Sequence, residues 1–260
     1  MVSLATLLAG VPISAKTQEV SLSNRPHQYV LDIGAGVQYK PKYPGSDDYI
    51  LVPLPLLAVQ RLFVPGFGQV VDGEEELRSF YMFPSFDFNG KREASDAREL
   101  IGTETVDWAV ELGLGVGYRY DWLRGTVEVR QGINGHEGQV IELGMDVITA
   151  PADSLQLNFG PRLTWASGDY MDTYFGVTDA EASAPGSRLS AYDPSSSFKT
   201  AGLEARATYA LSHNTRVHVR AGWDRFIGDA ADSPIVEAGS RDQFSIGGGL
   251  TYRFSFDLFR

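Results

Sequence analysis

The sequence predicts an all-β fold, a transmembrane up-and-down antiparallel β-barrel of twelve strands. Three observations predict it. Apolar residues recur at every second position through most of the chain, the alternating runs last about eleven residues where a soluble strand averages about 5–6, and charged residues collect on the face opposite the apolar one.

The elements follow in order. Met1 to Val11 is apolar and rich in small residues, and Ile13-Ser14-Ala15 reads as a cleavage site. Residues 1–15 are therefore expected to be a signal peptide, 16–27 an N-terminal periplasmic segment and 28–260 the barrel. Eleven apolar residues rise ~16 Å as a helix, about half of a ~30 Å hydrocarbon core, so this stretch is too short to span a bilayer. No other apolar run is long enough, which leaves strands as the means of crossing. From Tyr29 the rhythm is period two, with Tyr29, Leu31, Ile33, Ala35, Val37 and Tyr39 on one face and Asp32, Gly34, Gly36, Gln38 and Lys40 on the other. It returns with Trp108, Val110, Leu112, Leu114, Val116 and Tyr118, with Leu155, Leu157, Phe159, Leu163 and Trp165, with Leu203, Ala205, Ala207 and Tyr209, and with Phe244, Ile246, Leu250, Tyr252 and Phe254.

Charge tells which solvent each face meets. Over eight of these strands the polar face carries Asp32, Glu111, Arg119, Arg124, Glu128, Arg130, Glu142, Asp146, Arg162, Glu204, Arg206, Arg216, Arg220, Asp224 and Arg253, and the apolar face only Arg225. A soluble sandwich would also separate polar from apolar faces. Length and ring placement separate the two folds: an apolar band of ~25 Å needs strands of ~9–11 residues with aromatics at both rims. Tyr29/Tyr39, Trp108/Tyr118 and Phe244/Phe254 sit at opposite ends of their strands.

Connections set the topology. Tight turns at Tyr120-Asp121, Pro151 to Asp153 and Ser212 to Asn214 alternate with longer links at 132–138, 167–197 and 227–242. Short turns on one side and long loops on the other place the short side in the periplasm. Counting spans from 28–40 through 49–60, 77–88 and 105–119 to 244–254 gives eleven. The even number that brings both ends to one side then gives twelve, with Pro65-Gly66 as the remaining turn.

Composition excludes whole classes. Lys and Arg number 22 against 33 Asp and Glu, a formal charge of −11, and there is no cysteine. An acidic chain offers no basic stripe for nucleic-acid phosphates, and without thiols there are no disulfides, zinc–thiolate sites or thiol catalysis. No zincin helix or nucleophile elbow occurs, and no cofactor, metal or catalytic residue is assigned. The acidic run Asp72 to Glu76 reads as a solvated turn, with calcium as the functional alternative. Gly113, Gly115 and Gly117 lie inside a strand and keep one face small. His218, with Asp224, is the one pairing that suggests a lipid-acting barrel enzyme, and a hydrogen-bonded lumen histidine is the simpler reading. The lining formed by Glu111, Arg119, Glu128, Arg130, Glu142, Arg162, Glu204, Arg206 and Arg220 either knits together by salt bridges or leaves a narrow wet path for small solutes. The link 167–197, with Tyr170, Tyr174, Phe175 and Tyr192, folds into the lumen, binds a partner or packs over a rim.

Specific strings add to this reading. Tyr43, Pro44, Gly45, Ser46 and Asp47, running to Tyr49 and followed by Pro53-Leu54-Pro55, form the first. Tyr174, Phe175 and Gly176 lead to Val177, Ala182 and Tyr192. Gly228, Asp229, Asp232, Ser233 and Pro234 lead through Val236 to Gly239, Ser240 and Gln243, and Tyr252-Arg253-Phe254 closes the series. In this order, over about 28–254, they resemble the MipA/OmpV family, named for the MltA-interacting protein. The resemblance implies an outer-membrane barrel of a Gram-negative bacterium in contact with lipid. It implies a non-catalytic scaffold that brings a lytic murein transglycosylase together with a penicillin-binding protein in peptidoglycan synthesis. Other members look like porin-like or host-contact proteins, which keeps the channel as an alternative.

Overall fold

The computed structural model describes residues 28–64, 68–71 and 78–257. Ten long strands form a single antiparallel sheet: β1 (Gln28–Pro41), β2 (Tyr49–Val64), β4 (Arg78–Asn89), β5 (Ala109–Tyr120), β6 (Leu123–Asn134), β7 (Gln139–Ala152), β8 (Leu155–Ala166), β9 (Ser197–Ala210), β10 (Thr215–Phe226) and β11 (Asp242–Asp257). A four-residue β3 (Gly68–Val71) pairs with the end of β2. The order is β3-β2-β1-β11-β10-β9-β8-β7-β6-β5-β4, so the first and last long strands pair in the middle, with Tyr29 opposite Phe256 and Tyr39 opposite Ile246. The sheet curls until β2 and β3 lie beside β4, giving a nearly closed barrel.

Twelve strands are therefore too many. Among the described residues the stretch 60–71 adds no complete up-and-down pair: β2 runs on through Gln60 and Arg61 to Val64, and the addition is the short β3. Ten long strands already satisfy the parity that brings both barrel ends to one side. Pro65-Gly66, the acidic run Asp72 to Glu76, the expected signal peptide 1–15 and the expected periplasmic segment 16–27 lie outside the described residues.

The molecule is inverted relative to a soluble protein. Buried positions of the strands hold Asp32, Glu111, Arg124, Arg130, Asp146, Arg162 and Glu204, while Leu51, Leu112, Leu114, Val129, Met145, Phe159, Val219, Ile246 and Leu250 stand exposed. The alternation expected for β5 and β6 is observed, apolar outward and ionic inward. Trp108 and Tyr118, both exposed, are ten residues apart; at ~3.4 Å per residue and a ~40° tilt that is roughly 26 Å, the height of an outer-membrane apolar belt. Arg225, on the apolar face, lies near the end of β10 and is held by its cross-strand partner Asp242 at 2.8 Å. Among the described residues no helix is long and apolar enough to cross a membrane. Strand β2 departs from strict alternation, being apolar on both faces.

Tight turns after β5, β7 and β9 alternate with long links after β4, β8 and β10. The first turn carries Asp121 at φ 52, a left-handed position that Asp tolerates. The long links contain α1 (Gly168–Phe175), α2 (Asp179–Ala182), α3 (Gly228–Ala231), α4 (Pro234–Ala238) and a 3-10 turn at Arg98–Leu100.

Candidate functional site: an ion-paired lumen under a loop-built cap

Inward positions two residues apart on adjacent strands lie within reach of one another, so charges of both signs there meet in pairs. Glu204 on β9 accepts from Arg162 on β8 at 2.9 Å, from its own-strand neighbour Arg206 at 2.5 Å and from Arg220 on β10 at 2.5 Å. Arg162 also holds Asp146 at 2.7 Å, which in turn takes Arg124 at 2.5 Å. Arg130 meets Glu111 at 3.1 Å, Glu128 at 3.2 Å and Glu142 at 3.5 Å. Glu142 links this group to Arg162 at 3.8 Å, so the lining from β5 to β10 is one network. Each additional partner offsets part of the desolvation cost of these buried ions. Arg119 donates to the Asp121 carbonyl at the short-turn end. Of the two arrangements open to this lining, knitting together is the observed one. The space left among Glu142, Arg162, Glu204, Arg220 and Asp224 is about 40 Å3, room for about one water.

The long-loop end is closed by a conventional apolar core. Helix α1 carries Tyr170, Met171, Tyr174 and Phe175 on one stripe, all fully buried. They pack with Val106, Val140, Ala166, Phe226, Ala230, Ala231 and Val236. Each such side chain contributes about 1.5–3 kcal/mol relative to exposure. The link 167–197 thus folds over and into the barrel mouth. Below it, Tyr170 receives a hydrogen bond from Lys199 at 3.1 Å and stacks edge-on with buried His136, whose Nε2 lies 3.6 Å from Glu111. Apolar cap and ionic lumen meet at this layer.

Three of the four motif strings converge on the cap, the fourth, Tyr252-Arg253-Phe254, lying in β11. Tyr43 is buried with Leu100, Val177, Leu189 and Ile235. Gly45, at φ +94 and against Val236, accepts from the Ser240 N–H at 2.8 Å, and Gln243 bonds both the Gly45 N–H and the Ser46 carbonyl. Ser46 turns its hydroxyl to the Asp48 N–H, so Pro44 and Asp47 sit in a self-bonded turn. Phe175 receives the Ser233 hydroxyl at 2.7 Å on its carbonyl, and the Tyr174 carbonyl accepts from Arg92 at 2.9 Å. Gly176 closes α1 by bonding back to Asp172 and Met171. Gly228 takes φ +54 at the start of α3, Asp229 accepts from the Ser195 N–H, Asp232 approaches Arg241 at 3.9 Å, and Pro234 opens α4. Segments from opposite ends of the sequence therefore lock one another in place.

The remaining candidates separate. His218 contacts Thr208 through Nδ1 at 3.2 Å and Thr251 through Nε2 at 2.8 Å. Asp224 is six residues further along β10, about 20 Å away in extended chain, so the pairing is not assembled. Gly115 and Gly117 have a specific use: a Cβ on either would collide with the inward rings of Phe83 and Tyr81. Sequence reasoning passes over His136, Arg92 and Lys199, which join cap to lumen. It also passes over the cap helices, although Thr178-x-x-Glu181 is a capping box and Ser233-Pro234 a helix start.

No curated protein matches the sequence. Among solved structures, Neisserial surface protein A is 11% identical over 87% of this chain and 97% of its own, with a TM-score of 0.30. OprD from Pseudomonas aeruginosa is 14% identical over 69% of this chain and 51% of its own, TM-score 0.30, and the outer-membrane protease OmpT from Escherichia coli 10% over 88% and 97%, TM-score 0.31. A family model described as MltA-interacting protein MipA matches residues 33–254, a span that holds the barrel and all three cap strings, and the chain belongs to that family.

Proposed function

We propose that the chain is an outer-membrane barrel that works as a non-catalytic scaffold for enzymes of murein synthesis and turnover. The observation that carries this reading is the double closure of the barrel: an ion-pair network spans the lumen from β5 to β10 and packed loops cover its mouth, so surfaces are what the molecule offers. The apolar exterior and family membership support the outer membrane as its site. The partners implied are a lytic murein transglycosylase, in keeping with the family's description, and a penicillin-binding protein. They would meet the short-turn end, which faces the periplasm in such barrels and exposes Tyr120, Trp122 and Leu211.

The test is capture of purified lytic transglycosylase on the immobilised, lipid-reconstituted barrel. Replacing Tyr120-Asp121, Pro151 to Ser154 and Ser212 to Asn214 by Gly-Ser should abolish capture. Retention by a chain altered at all three turns would remove them as the docking face.

The mixed-charge lining of the lumen keeps, as a second reading, a narrow channel for small solutes. Planar-bilayer recording decides between them. Steps altered by Arg162→Gln or Glu204→Gln would support the channel, and a silent bilayer the scaffold.

A further inference from the structure

One wall of the barrel has no ladder. Strand β2 pairs with β1 along its length, but on its other side only Leu62 to Val64 meet a strand, the short β3. Strand β4 pairs with β5, and among the described residues no ladder joins it to β2. The two edges nevertheless run side by side. A Cβ on Gly90 would lie 3.3 Å from Ile50 Cδ1, and Lys40, opposite Ile50 in the β1–β2 register, reaches Asp87 at 2.9 Å. Counting down both strands from that level brings Pro53 and Pro55 of β2 alongside Pro84 of β4. Proline has no N–H and is tolerated in a strand where that N–H would face away from a ladder. Three prolines on the facing edges therefore remove donors that zipping would need, at a depth where unpaired backbone is costly.

What flanks the seam is apolar outward, and inward it is apolar along β2 and along β4 below Ser85, while Ser85, Asp87 and Asn89 bond Glu128, Lys40 and Glu111 nearer the cap. Leu51, Leu57, Phe80 and Phe86 are exposed outward. Inward, Val52 and Tyr81 are buried, Leu56 leans over Gly249, and Phe83 covers Gly115. This side of the lumen contrasts with the ionic side built by β5 to β10. At the long-loop end of the seam Lys40 and Lys42 are held by Asp87 and Asp96.

We infer that the β2–β4 seam is a lateral portal that admits an acyl chain of an outer-leaflet lipid to the apolar side of the lumen, with Lys40 and Lys42 receiving its anionic headgroup. The inference rests on the outer-membrane placement proposed above. Hydrocarbon is the medium at this depth, an acyl chain matches Val52, Leu56 and Phe83 on the inside, and a lipid phosphate competes with Asp87 and Asp96 for the two ammonium groups.

The test uses the full chain in vesicles containing phosphatidylglycerol with a diazirine on one acyl chain, irradiated and mapped by peptide mass spectrometry. Adducts are expected on inward Val52, Leu56 or Phe83 as well as outward Leu51, Leu57 and Phe86. Adducts confined to outward residues would overturn the portal while leaving the barrel's membrane placement intact. A chain with no outward adducts would instead fail the placement itself. Closing the seam should reduce inward labelling about fivefold or more, through restored backbone bonds in Pro53→Val/Pro55→Val/Pro84→Val. A disulfide in Leu57→Cys/Met82→Cys, in a chain with no native cysteine, should do the same and be reversed by reductant. Inward labelling that ignores both closures would overturn the seam as the route. In Lys40→Gln/Lys42→Gln, labelling by the anionic probe should fall relative to a phosphatidylcholine probe of the same chain, and an unchanged ratio would remove the headgroup assignment.

Discussion

Glu204 shows what a single lumen residue does. Its side chain is 4% exposed and receives Arg162, Arg206 and Arg220. Taking one carboxylate from such a cluster leaves buried positive charge short of a partner, and breaking a buried pair costs about 3–5 kcal/mol where replacing both members costs far less. Glu204→Ala should therefore destabilise the barrel by about 3 kcal/mol, Glu204→Gln by less, and Glu204→Ala/Arg220→Ala should recover part of the loss. Urea unfolding in detergent, followed by the fluorescence of the four tryptophans, measures all three. Additive losses in the double variant would mean that the two side chains do not act as a unit.

At the scale of elements the cap is held by short pieces that lean on one another, and its ionisable groups set a pH window. Burial pushes the Glu181 carboxyl up, but the N–H groups of Glu104 and Thr178, the Thr178 hydroxyl and the charge of Arg92 outweigh it, so the group sits below the usual 4.5. Asp96 behaves alike: burial raises it, and Lys42 with the Glu93 N–H brings it below 3.8. A depressed carboxylate contributes stability that is present above its unfolded value and is lost as pH falls through the folded one. Tyr43 closes the window from the alkaline side. Burial, then the charge of Glu99, push its phenol up to about 12, so its contribution is lost as pH climbs from 10.0 toward that value. Hydrogen exchange of residues 173–193 should rise as pH drops below 4.5, after correction for intrinsic rates. Glu181→Gln should loosen the cap at neutral pH and flatten the acid dependence; an unchanged profile would sink the role given to that carboxylate. The cap is also where sequence legibility ends. Inward Glu111 and outward Leu112 can be told apart because a strand's faces alternate strictly, and Glu204 with Arg206 can be paired because they share a strand. The contacts of Glu204 with Arg162 and Arg220 depend on register between strands, which no local pattern encodes. The Thr178-x-x-Glu181 box is readable as a helix start, whereas His136 enters the Tyr170 layer only because a four-residue link drops it there. The strand count errs by two because the long alternating runs number ten, already an even set, and among the described residues 60–71 adds only the four-residue β3 and no further span.

For the whole molecule, the cap and the ionic layer are two barriers in series. A path through two closed sections conducts only when both are opened, so removing either one leaves the resistance set by the other. The cap is removable without touching a strand: replacing 168–195 by a short Gly-Ser link takes away α1 and α2 and the buried Tyr170, Met171, Tyr174 and Phe175. The ionic layer is opened by Arg162→Ser/Glu204→Ser, which deletes a guanidinium and a carboxylate together and so leaves the lumen's net charge unchanged. Planar-bilayer recording should be silent for the native chain, for the uncapped chain and for the lumen double variant, and should show discrete steps only when both changes are combined. The charge of what remains predicts their selectivity. Glu111, Glu128, Glu142, Asp146 and Asp224 face Arg124, Arg130, Lys199, Arg206 and Arg220 in the opened region, a balance of charge that should leave the steps only weakly selective between anions and cations. Steps from the native chain would show that the network yields in a bilayer and would shift the functional reading to a channel. Silence in the combined variant, with the heat-dependent gel mobility of a folded barrel retained, would show that a third obstruction fills the lumen, and the apolar side chains of β2 beneath the seam would be the place to look for it.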